Sequence, residues 1–250
     1  MARQIGGERV TVALLVPPGS SVHTYEPTPR QVQFVATADV LLLNGVNLEF
    51  WAPKVIAAAN NPKLLVVQTA DGLPILQQSG EVGGNPHVWL DPVNAIHQAE
   101  KTRDALIAAD PEHRDLYQSN ADRYVAELRQ LDQDIKTETA TWSHRRFIGF
   151  HAAWVYFAQR YGLEQVAAIE EFPGKEASPE YLAQIVQLIA QHGVPVVFTE
   201  PQLPPRAAET VAGEAKVKVI GLDPLGGVAG RNSYVELMRY NLGQMARGLK

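Results

Sequence analysis

Four side chains that can bind a metal ion stand at well-marked places in the sequence. They are three histidines and one aspartate, in or beside loops next to short apolar runs: His23, His87, His151 and Asp223. Three neutral imidazoles and one carboxylate make a closed tetrahedral set that suits zinc. A catalytic zinc site usually has three protein ligands and keeps the fourth position open for water. The set therefore predicts capture of a metal ion rather than catalysis.

Each of these residues also has an ordinary interpretation. A lone loop histidine is more often solvated or capping than metal-binding, and Asp223-Pro224 alone indicates the start of a turn. The metal interpretation gains weight because two candidates lie in each half of the chain. The remaining histidines stand among charged neighbours in or beside predicted helices, and we interpret them as surface residues: His97, His113, His144 and His192.

Composition limits the chemistry further. The chain has 250 residues, no cysteine and a formal net charge of -5, so a thiolate zinc site is impossible. The lack of any basic run argues against nucleic acid as a partner. No apolar run approaches the roughly 18 residues of a membrane-spanning helix. Residues 1–7 lack the apolar stretch of a signal peptide, so we expect either a cytoplasmic protein or a trimmed or mature form.

The pattern of apolar residues predicts an α/β fold. Short runs of Val, Ile and Leu alternate with longer amphipathic stretches, which is typical of βαβ units around parallel sheets. Open parallel sheets bind ligands outside the carboxyl ends of their strands, and we expect the four candidates there. Thr28 and Pro29 are predicted to be the N-cap and first residue of a helix. The predicted strands are 10–16, 39–43, 64–69, 147–150, 166–169, 194–199 and 217–222.

A long helix is predicted between the two halves. From Asp110 to about Trp142 apolar residues recur at helical spacing, with no Gly or Pro after Pro111. Some thirty helical residues span about 45 Å, more than the diameter of a small lobe. We therefore predict an N-terminal lobe at residues 1–110, a linking helix at 111–143 and a C-terminal lobe at 144–250. A helix packed within one domain is the alternative.

Further motifs surround the candidate ligands. In chain order they are Gly6-Gly7-Glu8-Arg9-Val10, His23-Thr24-Tyr25-Glu26-Pro27, Asn44-Gly45 through Glu49-Phe50-Trp51, Pro86-His87-Val88-Trp89-Leu90-Asp91-Pro92, Phe150-His151-Ala152-Ala153 with Tyr156-Phe157-Ala158, Glu200-Pro201-Gln202 and Leu222-Asp223-Pro224-Leu225. Together they resemble the zinc- and manganese-binding solute-binding proteins of bacterial ABC importers. The similarity covers essentially the whole chain, and the ordered series is far more specific than any single motif.

This resemblance implies two Rossmann-like lobes joined by one long helix, with the metal in the cleft between them. It implies His23 and His87 as ligands from the first lobe, and His151 and Asp223 from the second. Zinc is the favoured metal and manganese the second candidate. The implied protein is not an enzyme. It lies in the periplasm or is anchored outside the cytoplasm, and it delivers metal to the membrane permease of an ABC importer. We expect a monomer.

The sequence departs from the family pattern in two places. Family chains usually have a strand before the Gly6–Val10 motif, whereas only five residues precede it here, which suggests an N-terminally incomplete sequence. Many zinc-specific members also carry a long His-rich acidic loop before the second ligand, whereas the segment at residues 77–84 is short and has no histidine.

Two alternative functions and one further site prediction remain open. A zinc hydrolase using the same His/Asp cluster would need an open coordination position and a general base, and no His-Glu-x-x-His or Gly-x-Ser-x-Gly motif is present. A metal-binding adhesin is the other alternative, because some family members bind host matrix proteins. Asn44, Glu200 and Asp91 are the residues that we expect to accept ring N–H groups from the ligands, with capping or turn roles as their alternative.

Overall fold

The computed structural model describes residues 1–77, 83–171 and 174–250, and within these ranges the chain is of the α/β class, as predicted. The strands are β1 Val40–Leu43, β2 Leu65–Gln68, β3 Arg146–Gly149, β4 Glu164–Ala168, β5 Val196–Thr199 and β6 Lys218–Gly221. The α-helices are α1 Ala2–Gly6, α2 Pro29–Thr37, α3 Ala52–Ala59, α4 Pro92–Ala109, α5 Arg114–Thr139, α6 Val155–Tyr161, α7 Pro179–His192, α8 Arg206–Ala215 and α9 Tyr234–Leu249. Single 3-10 turns lie at Gly7–Arg9, Val88–Leu90, Pro111–His113 and Ala152–Trp154.

Contacts divide the chain into two compact units, and the division falls inside α5, between Leu131 and Asp132. The predicted long helix is confirmed, since α5 has 26 residues and is therefore about 39 Å long. Most of its apolar residues are buried, and Leu128 and Ile135 are fully so. The separation into residues 1–110, 111–143 and 144–250 stays a prediction.

The first unit contains a small parallel sheet. Strands β1 and β2 pair in register from Val40 opposite Leu65 to Leu43 opposite Gln68. Helices α2 and α3 contact each other and contribute Val35 and Val55 to the same core. The predicted start of α2 is confirmed: Pro29 is its first residue, and the side chain of Gln31 accepts a hydrogen bond from the Thr28 backbone N–H at 3.0 Å.

The strand prediction for residues 10–16 is wrong. Val10 has an extended backbone, but among the described residues no strand forms a hydrogen-bonded ladder with this segment. A strand exists only where a neighbour satisfies its N–H and C=O groups. Alternating apolar residues do not reveal whether such a neighbour is there, and Leu14 is 57% exposed.

The second unit contains a four-stranded parallel sheet with the order β4-β3-β5-β6. Its core joins the sheet to α7 and α8 through residues such as Ile148, Val197, Ile185 and Val211. Because all four strands run in the same direction, their carboxyl ends meet at one edge of the sheet. The residues that follow these strands are therefore neighbours across that edge.

Of the segment without histidine at residues 77–84, positions 78–82 lie outside the described residues. Within the ranges that are described, none of the helices combines the length and the apolar character that crossing a membrane requires.

Candidate metal centre

Two of the predicted ligands lie side by side in the first unit. The Nε2 atoms of His23 and His87 are 3.0 Å apart, and the ring centroids are 5.0 Å apart. Two nitrogens that bind one tetrahedral zinc ion at 2.0–2.1 Å are about 3.3 Å apart. The pair is thus within a few tenths of an ångström of the spacing that one ion needs.

The orientation of the His87 ring is set by Asn85. The side-chain oxygen of Asn85 accepts one hydrogen bond from the His87 backbone N–H at 2.9 Å and another from ring Nδ1 at 3.0 Å. Asn85 is 0% exposed and His87 is 1% exposed. An amide oxygen can only accept, so Nδ1 carries the ring proton and Nε2 presents its lone pair. This is the tautomer in which a metal-bound histidine donates its second ring N–H to the protein.

A hydrogen-bond network fixes the loop that carries His87. Asn44, the residue after β1, donates from Nδ2 to the Pro86 carbonyl at 2.9 Å and accepts from Gln98 at 2.9 Å. The Glu49 carboxyl accepts from the backbone N–H groups of Asn44 and Gly45 at 2.8 and 3.1 Å. Burial raises the pKa of Glu49, although these backbone hydrogen bonds oppose the shift. The network holds the backbone immediately before His87.

The third predicted ligand, His151, lies two residues after β3 in the second unit. Its Nδ1 atom is 2.8 Å from Oε1 of Glu200, which directly follows β5. The side chains are 4% and 1% exposed, respectively. A carboxyl oxygen at Nδ1 turns the other ring nitrogen, Nε2, toward a ligand and increases its basicity. Glu200 therefore contacts the His151 ring, whereas its role as acceptor of a ring N–H from a metal ligand stays a prediction.

A second carboxyl group belongs to the same edge of the sheet. Glu170 follows β4 by two residues, is 9% exposed and accepts a hydrogen bond from the Gly174 backbone N–H at 3.1 Å. Burial raises the pKa of Glu170, and the Gly174 hydrogen bond and the nearby His151 oppose this shift. Negative charge near this edge favours a cation over an anion.

Asp223, the fourth predicted ligand, lies two residues after β6 and is held rigidly. Its backbone exchanges two hydrogen bonds with the buried Asn241 side chain, at 2.8 and 2.7 Å. Its Oδ1 atom accepts from Gln202 Nε2 at 2.9 Å and from the backbone N–H groups of Leu225 and Gly226 at 3.0 Å each. Three donors leave Oδ1 little capacity for a metal, so Oδ2 is the oxygen that can bind one.

The structure supports the placement prediction at two of the four ligands. His151 and Asp223 follow strands of one parallel sheet, as expected. His23 does not follow a strand, because residues 10–16 form none, and His87 comes nineteen positions after the end of β2, next to a 3-10 turn. That all four residues bind one ion stays a prediction.

Several residues around these side chains were not predicted. Asn85, Gln202 and Arg231 contact His87 or Asp223 directly. Asn85 had a usable signal, since an Asn two residues before its partner is a common local hydrogen-bonding pattern. Of the predicted residues, Asn44 acts through Pro86, and Asp91 caps α4 by accepting from the Val93 N–H at 2.8 Å.

Comparisons with known proteins give a consistent picture. A family model described as "Zinc-uptake complex component A periplasmic" matches residues 1–248. The chain is 30% identical to the manganese-binding lipoprotein MntA of Halalkalibacterium halodurans, over 98% of this chain and 83% of that protein. It also resembles a crystal structure of ZnuA, with a TM-score of 0.89 and 32% identity over 98% of this chain and 93% of that one. The Mn-bound periplasmic metal-binding protein of Candidatus Liberibacter asiaticus has a TM-score of 0.88 and 25% identity, over 98% and 94% of the two chains.

Proposed function

Because the chain belongs to the family of the periplasmic zinc-uptake component A, we propose that it captures a divalent transition-metal ion outside the cytoplasm and delivers it to the membrane permease of an ABC importer. The observation that carries this proposal is the spacing of 3.0 Å between the Nε2 atoms of His23 and His87. Asn85 holds one of these rings in the metal-binding tautomer. The metal is cargo that must be bound and later released.

The proposed ligand set is His23, His87, His151 and Asp223. In favour of it, each of the last three is nine-tenths or more buried, and each has partners that fix its orientation. Buried imidazoles whose second nitrogen is hydrogen-bonded are the usual form of metal-binding histidine. Four protein ligands leave no position for an activated water, so the set suits binding and release rather than hydrolysis.

Zinc is the proposed cargo, and manganese is the second candidate. Three imidazole nitrogens favour zinc, whereas manganese prefers a larger share of oxygen ligands. The hydrogen bonds to Oδ1 of Asp223 restrict this carboxylate to a single metal-binding oxygen. With one oxygen from Asp223, the metal would have four protein ligands. Zinc adopts this coordination number, whereas manganese does not favour it.

Competition with a chelating dye tests the ligand set. His23→Ala, His87→Ala, His151→Ala and Asp223→Ala should each weaken zinc binding by more than the roughly 10- to 100-fold that loss of an outer hydrogen bond costs. His144→Ala is the matched control, because His144 is exposed in the loop before β3. A variant that binds zinc like the parent removes its residue from the set. Parent protein that binds neither zinc nor manganese would overturn the function.

Delivery is tested in cells that lack the gene for this chain. Under metal limitation the parent should restore metal uptake, whereas the double variant His23→Ala/His87→Ala should not, although it is present at the same level. Equal restoration by both proteins would show that uptake does not depend on metal captured at this pair.

A further inference from the structure

The carboxyl group of Asp223 already has a cationic partner. The guanidinium of Arg231 lies with NH1 3.0 Å from Oδ2 of Asp223. The Asp223 side chain is 2% exposed and that of Arg231 is 22% exposed. Because Oδ1 accepts three other hydrogen bonds, Arg231 occupies the oxygen that the proposed ligand role requires.

The position of Arg231 is built into the local backbone. Its carbonyl accepts from the Gly227 N–H at 2.9 Å, and its own N–H donates to the Val228 carbonyl at 2.9 Å. Gly226 has a φ of 70°, and a Cβ there would lie 2.7 Å from the Arg231 carbonyl oxygen, so only glycine fits this tight turn.

An aromatic ring packs against the same guanidinium group. The guanidinium carbon of Arg231 lies 4.4 Å from the ring centroid of Tyr240, a residue of α9. This is within the range of a cation–π contact. Tyr240 is followed by Asn241, which fixes the backbone of Asp223. Helix α9 thus positions the acid and its cation together.

We propose that Arg231 is a resident cation that competes with the captured metal for Oδ2 of Asp223 and thereby makes release of the metal faster. This inference rests on the proposed function and deepens it. A buried carboxylate without a counterion is costly, and Arg231 supplies the counterion whenever the metal has left. A divalent ion at Oδ2 is repelled by the guanidinium, which has to withdraw or share the oxygen.

Two opposite effects are therefore expected from one side chain. Arg231 stabilises the protein without metal, because it neutralises Asp223. It weakens binding of the metal, because it competes for the same oxygen and adds positive charge beside it. A residue that only oriented the carboxylate for the metal would do the reverse and strengthen binding. The sign of the change in affinity on removing Arg231 separates these two roles.

The test measures zinc affinity and zinc release for Arg231→Gln. Affinity comes from competition with a chelating dye, and the release rate comes from a chase with excess chelator. We expect the zinc dissociation constant to fall by about tenfold, with most of the change in a slower release rate. Arg231→Lys keeps a cation, so its zinc dissociation constant and release rate should be closer to those of the parent than to those of Arg231→Gln. Unchanged or weaker zinc binding by Arg231→Gln overturns the inference.

Stability without zinc provides an independent readout. Arg231→Gln should melt at a lower temperature than the parent in the presence of a chelator. The increase in its melting temperature on adding zinc should be larger than that of the parent. Arg239→Gln is the matched control, because it also replaces one arginine by glutamine. Arg239 lies in α9 and is paired with Asp134 rather than with Asp223. This control should bind and release zinc like the parent.

A double-variant cycle ties the effect to Asp223. In an Asp223→Asn background, the further change Arg231→Gln should tighten zinc binding much less than in the parent, because only the repulsion between the guanidinium and the metal remains. Tightening of the same size in both backgrounds would overturn the competition for Oδ2. If the parent itself binds no zinc, the proposed function fails together with this inference. If the parent binds zinc and His23→Ala weakens that binding, the proposed function stands. In that case, a zinc affinity of Arg231→Gln equal to that of the parent overturns this inference only.

Discussion

The imidazole of His87 donates from Nδ1 to the side-chain oxygen of Asn85 at 3.0 Å, so the partner of this ring is a neutral amide. His151 differs, because the atom 2.8 Å from its Nδ1 belongs to the carboxyl group of Glu200. A carboxylate partner makes an imidazole a stronger ligand than an amide partner does. The partners of the two buried histidines therefore differ in charge, and so does their effect on the basicity of each ring.

The first prediction concerns these two partners. Asn85→Ala should weaken zinc binding by about tenfold, and Glu200→Gln by roughly 10- to 100-fold, because each ring loses an outer contact that orients it or raises its basicity. Asn85→Asp keeps the acceptor and adds negative charge, so it should bind zinc at least as tightly as the parent. Dye competition at constant pH measures all three dissociation constants.

The control for this series is Asn61→Ala. Asn61 is also an asparagine of the first unit whose side chain bonds to backbone, in its case the carbonyls of Val35 and Ala38. This variant should melt at a lower temperature and yet keep the zinc affinity of the parent. If Asn85→Ala lowers only the melting temperature and not the affinity, Asn85 supports the fold and does not position His87.

The second prediction is a gain in stability on binding zinc. A ligand that binds only the folded state stabilises it by about 2.7 kcal/mol at a hundredfold excess over its dissociation constant. For a chain of this length the melting temperature should rise by roughly 5 to 10 °C. The rise should shrink below about pH 6, where protons compete for the imidazoles. Differential scanning calorimetry of the metal-stripped protein measures it.

Magnesium and one variant serve as controls for this experiment. Magnesium prefers oxygen ligands in an octahedral arrangement and should raise the melting temperature little. The His23→Ala/His87→Ala protein should not respond to zinc at the same concentration. A parent melting temperature that is indifferent to zinc at neutral pH would count against the ligand set as a whole.

The third prediction tests an acid that is outside the proposed ligand set. Asp110 accepts hydrogen bonds from the His113 ring at 2.8 Å and from the Tyr117 hydroxyl at 2.7 Å. These contacts, that from His113 first, lower the pKa of Asp110 below its usual value. A carboxyl whose pKa is lower in the folded state adds stability above its unfolded pKa, near 4, and loses that contribution as the pH falls through the folded value.

Asp110→Asn should therefore lower the melting temperature at pH 7, and its difference from the parent should shrink as the pH is lowered below about 4. Burial and Asp110 together raise the pKa of Tyr117 to about 12, and the variant should bring this pKa back toward the usual 10 or so. Asp122→Asn, an exposed change on α5, should show neither effect. A melting difference for Asp110→Asn that is independent of pH would contradict the pKa assignment.

The sequence was most informative where a residue type has one main chemical use. Three histidines and an aspartate in marked loops suffice to propose a ligand set, which stays a prediction. Thr28-Pro29 suffices to predict the start of α2, because capping depends on local residues. Residues 10–16 show the opposite case. Their alternation describes a strand that would need a partner, and pairing is a property of the whole sheet that this segment does not encode.

Arg231 shows why part of the site was beyond prediction. It follows Asp223 by eight residues, and nothing in its neighbourhood distinguishes it from an ordinary surface arginine. The ion pair depends on the left-handed turn at Gly226 and on the packing of the guanidinium over Tyr240. Both are consequences of three-dimensional packing. Glu200, by contrast, directly follows β5, and the proposed ligand His151 follows the neighbouring strand β3, so a contact between them could be expected.

The last prediction concerns the choice of metal. His151→Glu would replace an imidazole with a carboxylate, and added oxygen suits the harder manganese ion. The carboxyl of Glu200 lies 2.8 Å from the His151 ring, so the new acid would face a like charge. The variant to measure is therefore His151→Glu/Glu200→Gln, in which an amide takes the place of the second acid. Zinc can still bind more tightly in absolute terms, because it stands above manganese in the general order of affinity.

We expect the ratio of the zinc and manganese dissociation constants to move toward manganese by about tenfold or more, which corresponds to roughly 1.4 kcal/mol of differential binding. The reason is that Asp223 offers one oxygen, whereas a carboxylate at position 151 can offer two. Competition titrations with both metals on the parent and the double variant measure the ratio. Glu200→Gln alone separates the effect of the partner, and His144→Glu controls for the added charge at an exposed site of the same unit. An unchanged ratio in a folded double variant would mean that His151 does not set the preference, and that selectivity comes from the remaining ligands and the groups that hold them.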